Sequence, residues 1–349
     1  MPAYKDDNTG TWYCKFYYTN WQGEKKQKLK RGFKLQREAK DWERSFLEQY
    51  AKNPDITFET LYNKYLKFKE NRVKASTLES QCNVIELHIL PYFKNKELSE
   101  ITPADIVEWQ NEVLSKGFSA SHTRQINAYL KMIFKYAVDY LGLPQSPVKS
   151  QICRPAKGNI NFWIPEEYKV FSAYIQDNIE LYTAFEILFY TGMRKGELLA
   201  LTLNDIDFHQ KTIDINKTLA YVNRTYINQP PKTQKSRRTV DVPQFLLTEI
   251  KDYTARLYKP DPEQRLFNRS RVWLGQAITR TCARIDLKPI RVHDLRHSHA
   301  SLLINLGANP LMIAERLGHE DVKVTMNTYS HLFKSHQKEI VEKLEQIKI

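Results

Sequence analysis

His293-Asp294-Leu295-Arg296-His297 places an imidazole, a guanidinium and a second imidazole within five consecutive positions of a 349-residue chain. On a helical turn His293 and Arg296, three positions apart, fall on one side. His293 and His297, at i and i+4, also have the spacing of a zinc pair. Asp294, however, stands where a zinc protease carries Glu, and Arg296 would bring a competing positive charge to the ion, so no metal site is expected. The chemistry suits an anion instead: a guanidinium donates paired hydrogen bonds to phosphate oxygens, and an imidazole moves protons.

Three further segments accompany this one. Upstream lie Thr191-Gly192-Met193-Arg194-Lys195-Gly196-Glu197-Leu198 and Pro231-Lys232-Thr233-Gln234-Lys235-Ser236-Arg237-Arg238-Thr239. Downstream lies Leu317-Gly318-His319, followed ten residues later by Tyr329 in Thr325-Met326-Asn327-Thr328-Tyr329. In this order the four segments resemble the tyrosine recombinase, or phage integrase, family over Phe162 to Leu332.

The resemblance implies a set of roles. Tyr329, one of 20 tyrosines, is the nucleophile, storing phosphodiester energy as a covalent phosphoester. Arg194 and Arg296 neutralise the phosphorane transition state. His293 assists proton transfer from Tyr329, and His319 donates a hydrogen bond to the phosphate. Lys232 matches the lysine that protonates the leaving 5′-oxygen, with Lys235, three residues on, as the alternative. Glu197 orients or caps. His297 and His299 have no matched role and are read as packing residues or as supports of the residues that touch the phosphate, while Lys235, Arg237 and Arg238 are expected on backbone phosphates.

Working outward, residues 162–349 read as a mixed α/β catalytic domain with a tail helix. Pro165 to Asp177 and Glu180 to Gly192 have helical period, whereas Asp207 to Lys217, Tyr221 to Ile227 and Arg238 to Val242 are strand-like. The tail carries Phe333, Ile340, Val341, Leu344 and Ile347 at near-helical spacing; it packs on its own domain or, as the resemblance suggests, on a neighbouring protomer. Residues 146–161, just after Pro144, collect Pro147, Pro155, Gly158, Lys149, Arg154 and Lys157 and read as an extended basic linker.

Residues 56–145 are helical by pattern: Thr57 to Asn71, Lys74 to Phe93, Thr102 to Gly117 and Ser119 to Leu141. Ser76 and Thr102 are candidate caps, Pro103 sits in a first turn, and Gly117 and Gly142 close helices. Residues 1–55 begin with an aromatic strand, Thr11 to Tyr18, then a turn at Trp21 to Glu24, a second strand over Lys25 to Phe33 and a helix over Gln36 to Gln49. Seven Lys/Arg lie between Lys25 and Arg37. Lys25, Lys26, Lys28, Lys30, Arg31 and Lys34 are candidate DNA-backbone contacts, with a charged edge that blocks sheet pairing as the alternative. The fold class is therefore α+β and mainly helical: a small N-terminal sheet plus helix, a helical domain, and the catalytic domain. By resemblance the first two are an arm-type and a core-site DNA-binding domain.

The whole composition agrees. With 53 Lys+Arg against 40 Asp+Glu the net charge is +13, which favours a polyanionic partner. Cys14, Cys82, Cys153 and Cys282 make no C-x-x-C pair, excluding a zinc ribbon or redox motif. The most apolar stretch, Leu181 to Met193, carries Glu186, so no membrane span is expected, and Lys5, Asp6 and Asp7 occupy the place of a signal peptide's apolar run. A cytoplasmic, nucleoid-associated enzyme without metal, ATP or other cofactor is expected. It would cut and rejoin double-stranded DNA at core and arm-type sites through a 3′-phosphotyrosyl intermediate, integrating and excising a mobile element. The resemblance further implies a tetramer on DNA with tail exchange, aided by a host DNA-bending protein and an excisionase. A type IB topoisomerase and a non-catalytic DNA-binding regulator are the alternatives.

Overall fold

The computed structural model describes residues 3–6, 9–19, 25–50, 56–149, 151–154, 161–231, 233–333 and 345. The chain divides into two compact units, Met1–Lys157 and Gly158–Ile349. The expected turn at Trp21 to Glu24, the position of Lys232 and the tail after Phe333, apart from residue 345, lie outside the described residues.

The first unit opens with an antiparallel sheet of β1 (Ala3–Lys5), β2 (Trp12–Thr19) and β3 (Lys25–Phe33), in that order, covered by α1 (Gln36–Tyr50). Side chains alternate faces along a strand. Cys14 and Phe16 are thus buried against Ala39, with Trp12, Tyr18, Trp42 and Phe46 around them. The intervening Tyr13 and Tyr17 take the other face, where Arg31 and Lys25 lie over their rings at 5.5 and 5.3 Å. The basic run therefore divides between two faces. Lys28 lies over Phe46 of α1, and the backbone N–H of Lys34 donates to Glu38 at the start of that helix.

A separate hydrophobic core is built by α2 (Phe58–Glu70), α3 (Ala75–His88), α4 (Leu90–Phe93), α5 (Pro103–Ser115) and α6 (Ala120–Leu141). Thr102 and Asp105 form a reciprocal capping box ahead of α5, and Gly142 closes α6 at φ 75. Two expectations are corrected here. Lys74 to Phe93 is not one helix: Pro91 cannot donate an N–H and its ring restricts the preceding residue, so the chain breaks at Ile89 and restarts. Ser76 is no cap, since extended Lys74 precedes α3 and Ser76 sits inside its first turn. Within the expected linker, Val148 and Ile152 are buried in this same core.

The second unit contains α7 (Pro165–Ile175), α8 (Ile179–Thr191), α9 (Lys195–Ala200), β4 (Ile206–Asp207), β5 (Thr212–Ile215), β6 (Thr218–Val222), β7 (Thr225–Gln229), β8 (Arg238–Asp241), α10 (Gln244–Ala255), α11 (Trp273–Ile285), α12 (Asp294–Asn305), α13 (Pro310–Leu317) and α14 (Val322–Phe333). Sheet β4-β5-β8 is antiparallel. The expected strand over Tyr221 to Ile227 is instead the tip of hairpin β6-β7, turned by Asn223 and Arg224 at φ 48 and 62, the doubly positive pair of a two-residue hairpin turn. Likewise Asp207 to Lys217 is two strands, β4 and β5, with Lys211 at φ 58 between them. α8, all but surrounded by apolar partners, forms the centre of the core, and Trp163 is anchored through its N–H to Ser298 Oγ of α12 at 2.9 Å. No described helix is long and apolar enough to cross a membrane.

Candidate active site

The ends of α8, α12 and α13 meet at Gly192. That residue terminates α8 in the left-handed region at φ +65, and a Cβ there would lie 2.6 Å from His299 Cδ2 and 2.7 Å from Leu317 Cδ2. Only glycine combines that backbone with that close approach. Its carbonyl accepts a hydrogen bond from Arg296 Nη1 at 2.9 Å, and Arg296 Nη2 donates to the carbonyl of Leu317 at the end of α13. Arg296 is buried, and burial, reinforced by Arg194 and Arg238, brings its pKa down to about 9. It remains a cation at neutral pH.

Arg194 is the residue before α9 and is tied down at both ends. Its backbone N–H donates to Glu197 Oε2 at 2.9 Å and its Nη1 to Oε1 at 2.8 Å. Glu197, buried in the first turn, also accepts from Arg238 Nη2 at 3.1 Å. Burial acts to raise the Glu197 pKa, but the Arg238 and Arg194 charges prevail and hold it below the ordinary value. Glu197 thus orients and caps, as its spacing suggested.

His319 follows Gly318, which closes α13, and its Nδ1 is hydrogen-bonded to Thr325 Oγ1 of α14 at 2.8 Å. Burial, then Arg296, Arg194 and Arg238, pushes its pKa down to about 4. Tyr329 is only 2% exposed, among Ala300, Ile304, Ile313 and Leu317. Burial raises its phenol to about 12, with Arg296 opposing. Its hydroxyl is hydrogen-bonded to Nδ1 of His297 at 2.6 Å. His297, for which packing or support of a site residue was expected, is the imidazole on the Tyr329 oxygen. His293, just before α12, has its ring 5.6 Å from that of His297; the residue is open toward the groove, while partial removal of its ring from water, with Arg296 and Arg194, lowers its pKa. Together with Arg194 it lines a groove of about 980 Å³ whose other walls include Lys195, Arg271, Arg280 and Arg291.

Arg194, His293, Arg296, His319 and Tyr329 are thus gathered from residues 194–329 of one unit. Lys232 belongs to the residues not described. Lys235 donates its Nζ to the carbonyl of Glu320 at 2.9 Å, beside His319, and Arg237 is exposed. Arg238, expected on a backbone phosphate, has its side chain buried and bonded to Glu197, to the Arg316 carbonyl at 2.8 Å and to the Ser236 carbonyl at 3.1 Å. His299 packs as expected, accepting from Arg316 Nε at 3.0 Å. The signal for His297 was present in its i, i+4 relation to His293, but only the packing of α14 on α12 reveals what it touches.

Comparison with known proteins covers most of the chain. The phage integrase family matches residues 165–336, a phage integrase N-terminal SAM-like domain residues 57–114, and an arm DNA-binding domain residues 2–50. The ICEBs1 integrase of Bacillus subtilis (strain 168) is 32% identical over 345 residues, covering 93% of this chain and 90% of that one. A XerC-like tyrosine recombinase of Caldanaerobacter subterraneus subsp. tengcongensis is 29% identical over 299 residues, covering 74% and 76%. Among solved structures, the Tn1549 transposon integrase in complex with transposon right end DNA superposes at a TM-score of 0.69 with 22% identity, covering 83% of this chain and 100% of that one. A lambda integrase dimer bound to a core site gives 0.62 with 17% identity and 93% of both chains.

Proposed function

The chain belongs to the phage integrase family and is a site-specific tyrosine recombinase of mobile-element integration; from that premise we propose that Tyr329 attacks the scissile phosphodiester and holds the 3′ end as a phosphotyrosyl ester. The observation that carries this is the mutual electrostatic proximity of Arg194, Arg296 and His319, with Arg296 also acting on the Tyr329 phenol of α14. The Tyr329 oxygen bonds phosphorus as the bond to the 5′-oxygen breaks, so the energy of the phosphodiester is kept for rejoining. Arg194 and Arg296 stabilise charge on the nonbridging oxygens, each such donor being worth about 3 to 4 kcal/mol in an acyl-transfer oxyanion hole. His319 donates to the same phosphate, His293 stands on the groove side beside Arg194, and Lys232 protonates the leaving oxygen.

Residues 1–55 then engage arm-type DNA and residues 56–145 core-site DNA, in line with the domain matches. A tetramer is the proposed working assembly, with the lambda integrase tetramer on a Holliday junction as precedent for the subunit number, and exchange of the tail between protomers is proposed with it. The arm-domain match and the integrase relatives favour recombination over topoisomerase activity or mere DNA binding.

The test uses a nicked duplex spanning one end of the element that carries the gene. The wild-type chain should form a covalent adduct resistant to detergent, and Tyr329→Phe should bind the duplex but form none. An adduct in the Phe variant would move the nucleophile elsewhere.

A further inference from the structure

We propose that His297, rather than His293, is the general base of the cleavage step, taking the Tyr329 proton on Nδ1 as the phenol attacks phosphorus. The inference rests on the reading of Tyr329 as nucleophile. Its ground is the 2.6 Å hydrogen bond between His297 Nδ1 and the Tyr329 hydroxyl, which meets the distance requirement for a direct proton acceptor. His293 makes no described hydrogen bond to that oxygen, and its ring reaches Tyr329 only through the ring of His297, edge to face on both sides.

The charge state agrees with this geometry. Burial, then the neighbouring His293, lowers the His297 pKa to about 4, with Asp294 opposing and Arg296 and Arg291 adding to the fall. His297 is thus a neutral imidazole at pH 7, with one nitrogen free to accept. The phenol, raised to about 12 by burial, keeps its proton at rest, so the hydrogen bond stores an uncharged pair in a site screened from water. Two changes on DNA binding move the proton. A phosphodiester anion beside Arg194 and Arg296 offsets the guanidinium charge that lowers His297. The phenol oxygen becomes strongly acidic as it bonds phosphorus.

The step balances. The Oη–P bond forms and the P–O5′ bond breaks; the phenol proton passes to His297 Nδ1, and the 5′-oxygen takes a proton from the lysine ammonium. In the reverse transesterification a 5′-hydroxyl gives its proton to the lysine amine and attacks the phosphotyrosine, the Oη–P bond breaks, and the imidazolium of His297 returns its proton to the departing phenolate. The groups that face His297 are His293, Asp294, Arg296 and Arg291 of its own segment, Tyr329 of α14, and His319, whose pKa it also depresses.

Asparagine can present an amide oxygen near the place of Nδ1, holding the phenol without accepting its proton; glutamine is the second variant should asparagine destabilise the domain. Wild type, Tyr329→Phe, His297→Asn and His297→Gln are compared on the nicked element-end duplex, with DNA binding and melting measured for each. The expected result is adduct formation slowed by about 10²- to 10⁴-fold at pH 7 in a folded, DNA-binding His297 variant. Its rate should climb roughly tenfold per pH unit toward wild type as hydroxide replaces the missing base. A wild-type rate in either folded variant overturns the proposal, as does a deficit that is the same at every pH, which would mark a structural role. Faster cleavage overturns it too, by making His297 a latch on Tyr329. If Tyr329→Phe still forms the adduct, it is the nucleophile assignment that fails.

Discussion

Arg238 and Arg31 both come from basic runs that invite a phosphate-binding reading, and the fold treats them in opposite ways. Arg238, on β8, has 7% of its side chain exposed and spends its donors on Glu197 and two backbone carbonyls. Arg31, on β3, is 64% exposed, lies over the Tyr13 ring and is 3.6 Å from Asp6. A polyanion gains from a cation only when that cation still has donors and a hydration shell to exchange. Counting Lys and Arg in a window measures charge, whereas the number of cations offered to DNA depends on which carboxylates and carbonyls the fold delivers to them.

The comparison is most sharply tested by removing each arginine. Arg238→Ala would leave the Glu197 carboxylate buried with one guanidinium fewer, a loss that typically costs 3 to 5 kcal/mol. With Arg194 still bonded to Glu197, about 3 kcal/mol is expected, read as lost stability of the second unit in denaturant unfolding. Arg31→Ala should change stability by less than about 0.5 kcal/mol. Equal stability losses, or an Arg238→Ala protein that is fully stable and merely binds DNA less well, would break the distinction.

The same contrast explains what could be read from the sequence. Helix ends were legible because their signals are local: Thr102 with Asp105, Gly142 after α6, Gly192 after α8. The hairpin at Asn223-Arg224 was not, because an arginine at positive φ is dictated by the strands that flank it rather than by its own preference. Within the site, the segments that carry Arg194, Arg296 and Tyr329 form a spaced pattern in the sequence, and the roles proposed for them rest on it. The burial of Arg238 depends on Glu197, 41 positions away, and the partner of His297 on Tyr329, 32 positions away. Pairings at such separation are products of packing, and no local window contains them.

Burial of imidazoles sets a second difference between regions, smaller in effect. In the second unit burial holds His297 and His319 down at about 4 and His299, beside Arg316, at about 3, and lowers His293 as well. A folded-state pKa below the unfolded one means that, between the two, the unfolded chain binds the proton and the folded chain does not. Stability therefore rises with pH from about 4 to the ordinary histidine value of about 6.5 and falls on acidification. Glu186, raised by burial to about 7, and Glu249, also raised by burial, act in the opposite sense, but four imidazoles outnumber two carboxylates. Among the helices α2 to α6 the corresponding burden falls on His88. Hydrogen exchange on the whole chain at pH 7 and pH 5 should show the second unit losing more protection than the helical core of the first. Greater loss in the helical core would reverse the assignment.

The smallest effect concerns the exposed face of β2 and β3, and it carries the question of whether that charge serves DNA at all. Lys25 and Arg31 lie over Tyr17 and Tyr13 on the face away from α1, so they are held in place without being buried. Stacked cations of this kind keep their outward donors, and beyond the short β1, which pairs only with Trp12 to Cys14, strands β2 and β3 continue as a two-stranded ribbon, narrow enough for the major groove. Removing both, as Lys25→Ala with Arg31→Ala, should leave adduct formation on the element-end core duplex unchanged, since every residue proposed for cleavage lies between Arg194 and Tyr329. On longer DNA that also carries the flanking arm sites, affinity should fall modestly. The slope of log affinity against log salt should shrink by about 0.9 for each phosphate that is no longer neutralised. Lys28, which lies over Phe46 of α1, is the internal control: Lys28→Ala removes the same charge from the helix-covered side and should alter that slope less. An unchanged slope in the double variant would make the outward face a charged edge that only keeps the sheet from pairing with other strands. A Lys28→Ala slope as reduced as that of Lys25→Ala would mean that DNA meets the edge of β3 rather than its outer face.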